Sequence, residues 1–318
     1  MRVLITGASG FTGGHMRDFL ARKRQAECEI WGIARGDTPH AYRDHWESVD
    51  LTDATAVDAA IRRIHPDRTL HLAGRTQGSY DLLYAANVKG TENLLSAHER
   101  HAPEAKILVV SSSAVYGYAG EQPIAEDSPR CPVTTYGESK VAEEDCARAH
   151  RQRGMDIIIA RPFNLAGPGQ SAAFVCGSIV RQVCAVRTGK QQSIQLRDRT
   201  SRRDFLDVRD AVQAYWALLT SPGTDHDRGE RAYNIGAEKA VSIGELITIA
   251  EDITGMHIPT GIIPGIVDLK VPVQVSDCSR IRCETGWKAE IPLAQTLGDM
   301  LRAECGELFS GSGTDTQR

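Results

Sequence analysis

Apolar residues in the first 160 positions fall into two alternating patterns. Short aliphatic and β-branched runs occur at "RVLIT" (2–6), "EIWGIA" (29–34), "TLHLA" (69–73), "KILVVS" (106–111) and "DIIIARP" (156–162). They are nearly continuous, as in strands buried on both faces. Between them, longer stretches around 12–23, 53–64, 80–101 and 136–153 carry helical spacing. This alternation predicts an α/β fold, a doubly wound parallel sheet covered by helices on both sides. Beyond residue 164 the pattern becomes irregular. Segments rich in Gly, Pro and charge ("NLAGPGQS", "RDRTSRR", "SPGTDHDRGE", "TGIIPGIVDLKVP") alternate with short helices near 172–188, 208–220, 242–254 and 292–305. A smaller C-terminal α/β lobe is expected, sharing a few strands with the main sheet. The expected division is 1–163, then 164–308 with some segments returning to the first domain, then a small polar tail over 309–318, expected to be disordered.

Charge narrows the class of partner. The 318 residues carry 37 basic and 41 acidic side chains, a net charge of -4, so no broad basic field is available for nucleic acid or an anionic membrane. A small molecule is the expected partner. The N-terminal apolar run is too short for a signal-peptide core, and no run approaches the ~20 residues of a membrane span. A soluble, cytoplasmic protein with no membrane partner is therefore expected. Of eight cysteines, only Cys278 and Cys283 lie close together, at a spacing that is neither Cys-x-x-Cys nor a metal knuckle. Reduced thiols and no metal site are expected.

"ITGASGFTGGHM" places Gly7, Gly10 and Gly13 after the first strand and at the start of a helix. Glycines suit that place because the chain turns tightly and its backbone must approach a pyrophosphate at the helix N-terminus. The context predicts a Rossmann-type dinucleotide site. The second strand ends "GIARGD": Ala34 stands where an NAD site usually has an acid, and Arg35 suits the 2'-phosphate of NADP. NADP(H) is favoured, and Asp37 keeps NAD(H) open. In "VDLTD", Asp50 and Leu51 are placed to meet the adenine edge, whereas Asp53 reads either as a second contact or as a helix cap.

"TYGESK" sets Tyr136 four residues before Lys140 on one face of a predicted helix. An ammonium beside a phenol favours the phenolate, which makes an acid/base able to work near neutral pH.

Together with "TGASGFTG", "DLTD", "HLAG", "NVKGTENLL", "VVSSSAVYG", "RPFNLAGPGQ", "RRDFLDVRDAVQAY", "YNIG" and "TGWKAEIPLAQTLGDML", these residues make the chain resemble the extended short-chain dehydrogenase/reductases that act on nucleotide sugars. The last of these segments and "RPFNLAGPGQ" look most like its GDP-sugar branch of reductases and dehydratases. The resemblance implies Tyr136 as acid/base, Lys140 on the nicotinamide ribose, and Ser112 hydrogen-bonded to the reacting oxygen. It implies a cofactor-binding set of Gly7, Gly10, Phe11, Thr12, Gly13, Arg35, Asp50, Leu51, Leu72, Ala73 and Asn87 besides Tyr136 and Lys140. For the substrate, a nucleotide-diphosphate sugar, it implies Ser113, Asn164 and Arg203, with Arg202 sharing the diphosphate; Arg280 reads as a phosphate contact or a surface charge. Tyr233 and Asn234 are expected to build the lobe. In "HLAG", Gly74 replaces the family's usual alanine. Family dehydratases place an acid two residues after the serine, and here that position is Ala114. The implied activity is NADPH-dependent reduction of a nucleotide-linked 4-keto-6-deoxyhexose at C4, most specifically GDP-4-keto-6-deoxy-D-mannose to GDP-D-rhamnose. A 4-epimerase with tightly held NAD, a 4,6-dehydratase and a dinucleotide-sensing scaffold stand as alternatives. The resemblance also implies a homodimer packed through helices 80–101 and 136–153.

Overall fold

The computed structural model describes residues 1–23, 28–35, 45–222, 231–263 and 271–306. Seven strands form a wholly parallel sheet: β1 (Arg2–Thr6), β2 (Glu29–Ala34), β3 (Trp46–Ser48), β4 (Arg68–His71), β5 (Lys106–Val110), β6 (Asp156–Pro162) and β10 (Ala232–Ile235). Their order across the sheet is β10-β6-β5-β4-β1-β2-β3, so the chain runs outward from β1 in one direction and then crosses to run outward in the other. The crossing leaves a crevice at the carboxyl ends of β1 and β4, the place where open α/β sheets bind ligands.

Side-chain alternation decides which helices cover which face. Val3 and Ile5 of β1 and Leu108 of β5 pack in one cluster with Met16 and Leu20 of α1 (Phe11–Arg22) and with Ala211, Tyr215 and Leu218 of α7 (Val208–Thr220). Leu4 points the other way, into a cluster with Val57 and Ile61 of α2 (Ala54–Ile64) and Leu94 of α4 (Gly90–His101). Ile107 and Val109 of β5 meet Leu95 of α4 and Ala147 of α5 (Thr135–Gln152). Both faces are thus dry, which is why these strands read as continuous apolar runs.

The second lobe is built on β9 (Arg202–Asp207), flanked by β11 (Ala240–Ser242), β13 (Val273–Gln274) and β7 (Asn164–Ala166). A two-stranded piece pairs β8 (Ile194–Leu196) with β12 (Thr260–Ile262). Helices α6 (Val175–Arg187), α8 (Ile243–Thr254) and α10 (Leu293–Cys305) close a separate core around Phe205, Leu246, Leu297 and Leu301. The helix α8 starts on a capping box, with Ser242 and Glu245 each bonding the other's backbone N–H.

Several expectations need correction here. The stretch 80–101 is not one regular helix: a short α3 (Tyr80–Tyr84) runs through a π-helical turn at Ala85–Lys89 into α4. Tyr233 and Asn234 lie on β10, so they belong to the main sheet and not to the lobe. Cys184 on α6 and Cys305 on α10 are joined in a disulfide, against the expectation of reduced thiols throughout; the remaining six cysteines are free. Tail residues 309–318 and Asp37 lie outside the described residues. Among the described residues no helix is long and apolar enough to cross a membrane.

Candidate active site

The glycine loop between β1 and α1 is shaped for close approach. Gly7 sits at φ +67°, and a Cβ there would come within 2.8 Å of the Ala73 backbone. At Gly13 a Cβ would stand 2.2 Å from the Gly7 carbonyl oxygen. Gly10 is the N-cap of α1, yet no side chain caps this helix and its first turn has no acid. Its free N–H groups and positive dipole end are therefore left for an anion. A dinucleotide pyrophosphate fits this cradle.

A cleft of about 600 Å³ runs from this loop across the carboxyl ends of the strands to the second lobe. Twelve of the expected residues line it: Gly7, Gly10, Phe11, Thr12, Gly13, Leu72, Ser112, Ser113, Tyr136, Lys140, Asn164 and Arg203. Chain segments far apart in sequence are brought together by the sheet.

Helix α5 carries the two central side chains. Thr134 caps it by accepting from the Gly137 N–H at 3.0 Å. Gly137 lets the helix press on the serine loop, since a Cβ there would lie 2.6 Å from the Ala114 carbonyl oxygen. That approach sets Tyr136 against the loop bearing Ser112. Ser112 Oγ accepts from the Ala114 N–H at 3.1 Å, which leaves its own hydroxyl proton free to donate elsewhere. Lys140 is buried; its Nζ donates to the Val110 carbonyl at 2.8 Å and forms an ion pair with Glu143. Burial alone would lower the Lys140 pKa, but Glu143 and Tyr136 more than offset it and hold the ammonium above the usual lysine range.

Asn87, in the π-helical turn, is fully buried. Its Oδ1 accepts from Arg75 N at 2.7 Å, and its Nδ2 donates to the Arg75 carbonyl and to Ser139 Oγ, both at 2.9 Å. It thereby ties the loop after β4 to α5, as π-helical turns often do near functional sites. Gly74 lines the cleft beside it, and a Cβ there would crowd Asn87 Oδ1 at 3.1 Å, so this departure makes room for the tie.

Other expected residues are placed differently. Arg35 is exposed at the end of β2 and does not line the cleft. Asp50 also lies outside it: its Oδ1 accepts from the Thr52 N–H at 2.9 Å, a bond that, with help from Arg35, keeps its carboxyl below the usual range. The buried Leu51 accepts from Asn93 Nδ2 through its carbonyl, and Ala73 donates to Thr6 Oγ1 at 3.3 Å. Asp53 is a helix cap, accepting from Thr55 N and Ala56 N. Ser113 lines the cleft, but its hydroxyl donates to Gln274 Oε1 at 2.9 Å, so it clasps the second lobe. Asn164 donates to the Asp204 carbonyl at 3.3 Å.

Arg203 is half-buried and forms no ion pair among the described residues; burial lowers its pKa, with only partial compensation from Asp198. A guanidinium so held on a cleft wall is ready for an oxyanion. Arg202 is exposed and absent from the lining, and Arg280, exposed on α9 (Ser279–Thr285), donates to the Ala232 carbonyl and faces Glu126 instead of the cleft.

Sequence reading missed the buried charges behind the site. Arg161 forms a two-pronged pair with Glu144 at 2.9 and 2.8 Å, and its Nη1 donates to Tyr116 Oη and the Glu126 carbonyl. Tyr116 in turn donates to Asn234 Oδ1 at 2.7 Å. Glu143 and Glu144 sit in a charged run, "ESKVAEED", that looks like a solvated helix face; only packing shows two of its acids pointing inward.

Known proteins resemble this chain in sequence and fold. Residues 3–236 match the model of the NAD dependent epimerase/dehydratase family. The chain is 32% identical to GDP-6-deoxy-D-mannose reductase of Pseudomonas aeruginosa, over 94% of this chain and 96% of that protein. It is 27% identical to UDP-glucose 4-epimerase 2 of Oryza sativa subsp. japonica, over 93% of this chain and 80% of the relative. The solved structure of RMD from Pseudomonas aeruginosa complexed with NADPH superimposes with a TM-score of 0.82 at 29% identity, covering 96% of this chain and 99% of that one. With its glycine cradle, its Tyr136/Lys140 helix and this match over most of its length, the chain belongs to the NAD dependent epimerase/dehydratase family of nucleotide-sugar enzymes.

Proposed function

We propose that the protein is an NADPH-dependent 4-reductase of a nucleotide-linked 4-keto-6-deoxyhexose, with GDP-4-keto-6-deoxy-D-mannose as substrate and GDP-D-rhamnose as product. The observation that carries this reading is Ala114. It lines the cleft two residues after Ser112, and its methyl group cannot move the protons that elimination across C5 and C6 requires. No carboxylic acid lines the cleft among the described residues. The relative named as a GDP-6-deoxy-D-mannose reductase supports the same reaction and the same base.

Gly7, Gly10 and Gly13 would hold the cofactor pyrophosphate, Lys140 the nicotinamide ribose, and Arg35 the 2'-phosphate. When bound, the nicotinamide supplies the hydride. Tyr136 gives its proton to the oxygen on sugar C4, while the Ser112 hydroxyl donates a hydrogen bond to that oxygen. Arg203 takes the diphosphate. Pairing of two chains through α4 and α5 would complete the proposed homodimer.

Three substrates separate the possible reactions. Purified protein is given GDP-4-keto-6-deoxymannose with NADPH, GDP-mannose with NADP+, or UDP-glucose with NAD+, and the products are identified by NMR. Reduction of the keto sugar alone supports the reading. Loss of the C6 hydroxyl from GDP-mannose would make the protein a dehydratase, and isomerisation of UDP-glucose, with NAD released on denaturation, would make it an epimerase.

A further inference from the structure

One turn beyond Lys140, α5 buries an acid that the proposed reaction does not use. Glu143 has no exposed surface. Its carboxylate pairs with Lys140 Nζ, its Oε1 accepts from Thr91 Oγ1 at 3.2 Å, and the same oxygen stands 3.9 Å from His71 Nε2. Lys140 is also bonded to the Val110 carbonyl, so its ammonium is fixed between β5 and Glu143. Helix propensity gives no reason to bury a glutamate against a sheet, and a lone carboxylate there would be strongly destabilising. The arrangement makes sense as a pair of opposite charges.

We propose that Glu143 is a positioning residue for the acid/base chemistry, the counter-ion that keeps Lys140 charged and in place in a dry site beside Tyr136. The proposal rests on the reading of Tyr136 and Lys140 as reaction machinery. The titratable groups around Glu143 are few. From α5 they are Tyr136, Lys140, Glu144 and Cys146; from β4 there is His71, which burial and the Lys140 charge keep neutral down to about pH 3; α4 presents the Thr91 hydroxyl, which does not titrate. Glu144 is committed to Arg161. Burial pushes the Glu143 carboxyl up, and Lys140 opposes it, so each charge of the pair depends on the other.

Glu143→Gln keeps the size of the side chain and removes its charge. Lys140 then has burial against it and keeps only the lesser support of Tyr136 and Glu144, so its proton leaves at lower pH. Reduction needs Lys140 charged and Tyr136 able to donate, so the alkaline limb of kcat/KM against pH moves acidward, by about 1–3 pH units for a lost neighbouring charge. Glu143→Asp, which restores the carboxylate, brings the limb back toward its original place. A merely structural role would lower Tm in Glu143→Gln and leave the limb where it was.

The deciding experiment needs no substrate. Lysine Cε is labelled with carbon-13, the Lys140 signal is assigned by its loss in Lys140→Arg, and its titration is followed by NMR in the wild type and in Glu143→Gln. The expected result is a wild-type ammonium that titrates above the ordinary lysine range and a variant titration shifted acidward, with the pH profile of turnover moving in parallel. Superimposable titrations in two folded proteins overturn the proposal. If Glu143→Gln fails to fold, a wild-type Lys140 that loses its proton below the ordinary lysine range overturns it instead. Should the wild type reduce no keto sugar, the proposed function fails while the titration still decides the role of Glu143.

Discussion

Arg203 and Ala114 carry the chemical distinctions at the residue scale. Arg203 is a half-buried cation on the cleft wall with no ion pair among the described residues, and binding a diphosphate would replace the hydration it has lost. Arg203→Ala should therefore weaken substrate binding in ground and transition states alike. A charge-assisted bond of about 1.5–3 kcal/mol corresponds to a rise in KM of about 10–150-fold, with kcat nearly unchanged. A fall in kcat at constant KM in steady-state kinetics would place Arg203 elsewhere in the reaction. At this scale the sequence was readable where a motif fixes geometry. Gly7, Gly13, Tyr136 and Lys140 have backbone or helical spacing that dictates their positions. Arg280 and Glu143 do not: the first reads equally as a phosphate contact or a surface charge and turns toward Glu126, and the second was hidden in a charged run whose inward side only packing reveals.

At the scale of elements, α5 is held to the sheet by charge as much as by apolar surface. Arg161 on β6 and Glu144 on α5 are almost wholly buried and doubly bonded, and Arg161 also fixes Tyr116, whose hydroxyl burial pushes up to about 12. Removing Arg161 takes away both of its bonds to the buried Glu144, which keeps Arg148 on Oε2 at 2.9 Å, and the bond it gives Tyr116. Arg161→Ala should cost about 3–5 kcal/mol of stability, measured as the shift of a urea midpoint, and loss of under 1 kcal/mol would show that Arg148 and Arg130 suffice to hold Glu144. Burial alone would raise the Glu144 carboxyl, but Arg161 more than offsets it, so its pKa lies below the ordinary 4.5. The stabilisation from this group is thus complete above pH 4.5 and is lost as pH falls through the lower, folded value. Helices of the first domain were legible because an amphipathic stripe facing a dry sheet has an unmistakable period. The π-helical turn at Ala85–Lys89 was not, since it is set by the bonds Asn87 makes to Arg75 and Ser139 and not by local pattern. The short strands β7, β8, β9, β11, β12 and β13 were also hidden, being two to six residues long in segments that read as loops.

The whole molecule joins a parallel sheet to a smaller lobe through polar clasps. Gln274 Nε2 donates to the carbonyls of Ser113 and Gly117 while its Oε1 accepts from Ser113, so β13 of the lobe is fastened to the loop after β5. In the lobe, the Cys184–Cys305 bond ties α6, whose first residues line the cleft, to α10. Its pairing was invisible in sequence because the two cysteines are 121 residues apart. Under the main sheet, two neutral histidines govern acid stability. Burial, with the Lys140 charge, pushes His71 down to about 3, and burial pushes His98 down to about 4. The unfolded chain takes up protons on both as pH falls through 6.5, and the folded protein does not until far lower. Stability should fall on acidification across that window by up to about 1.4 kcal/mol per pH unit for each histidine. Urea titrations between pH 7 and 4 check this; a flat profile would mean that both rings are protonated in the folded state.

In the proposed reaction hydride reaches C4 of a keto sugar and nothing is eliminated. This is tested most directly by reducing GDP-4-keto-6-deoxymannose in heavy water with NADPH carrying deuterium at each of the two C4 positions of its ring in turn. One of the two labels is expected at C4 of GDP-D-rhamnose, one per molecule of NADPH oxidised, with no enzyme-dependent deuterium at C5. Absence of label at C4 from either cofactor, or C5 exchange that requires the enzyme, would contradict it.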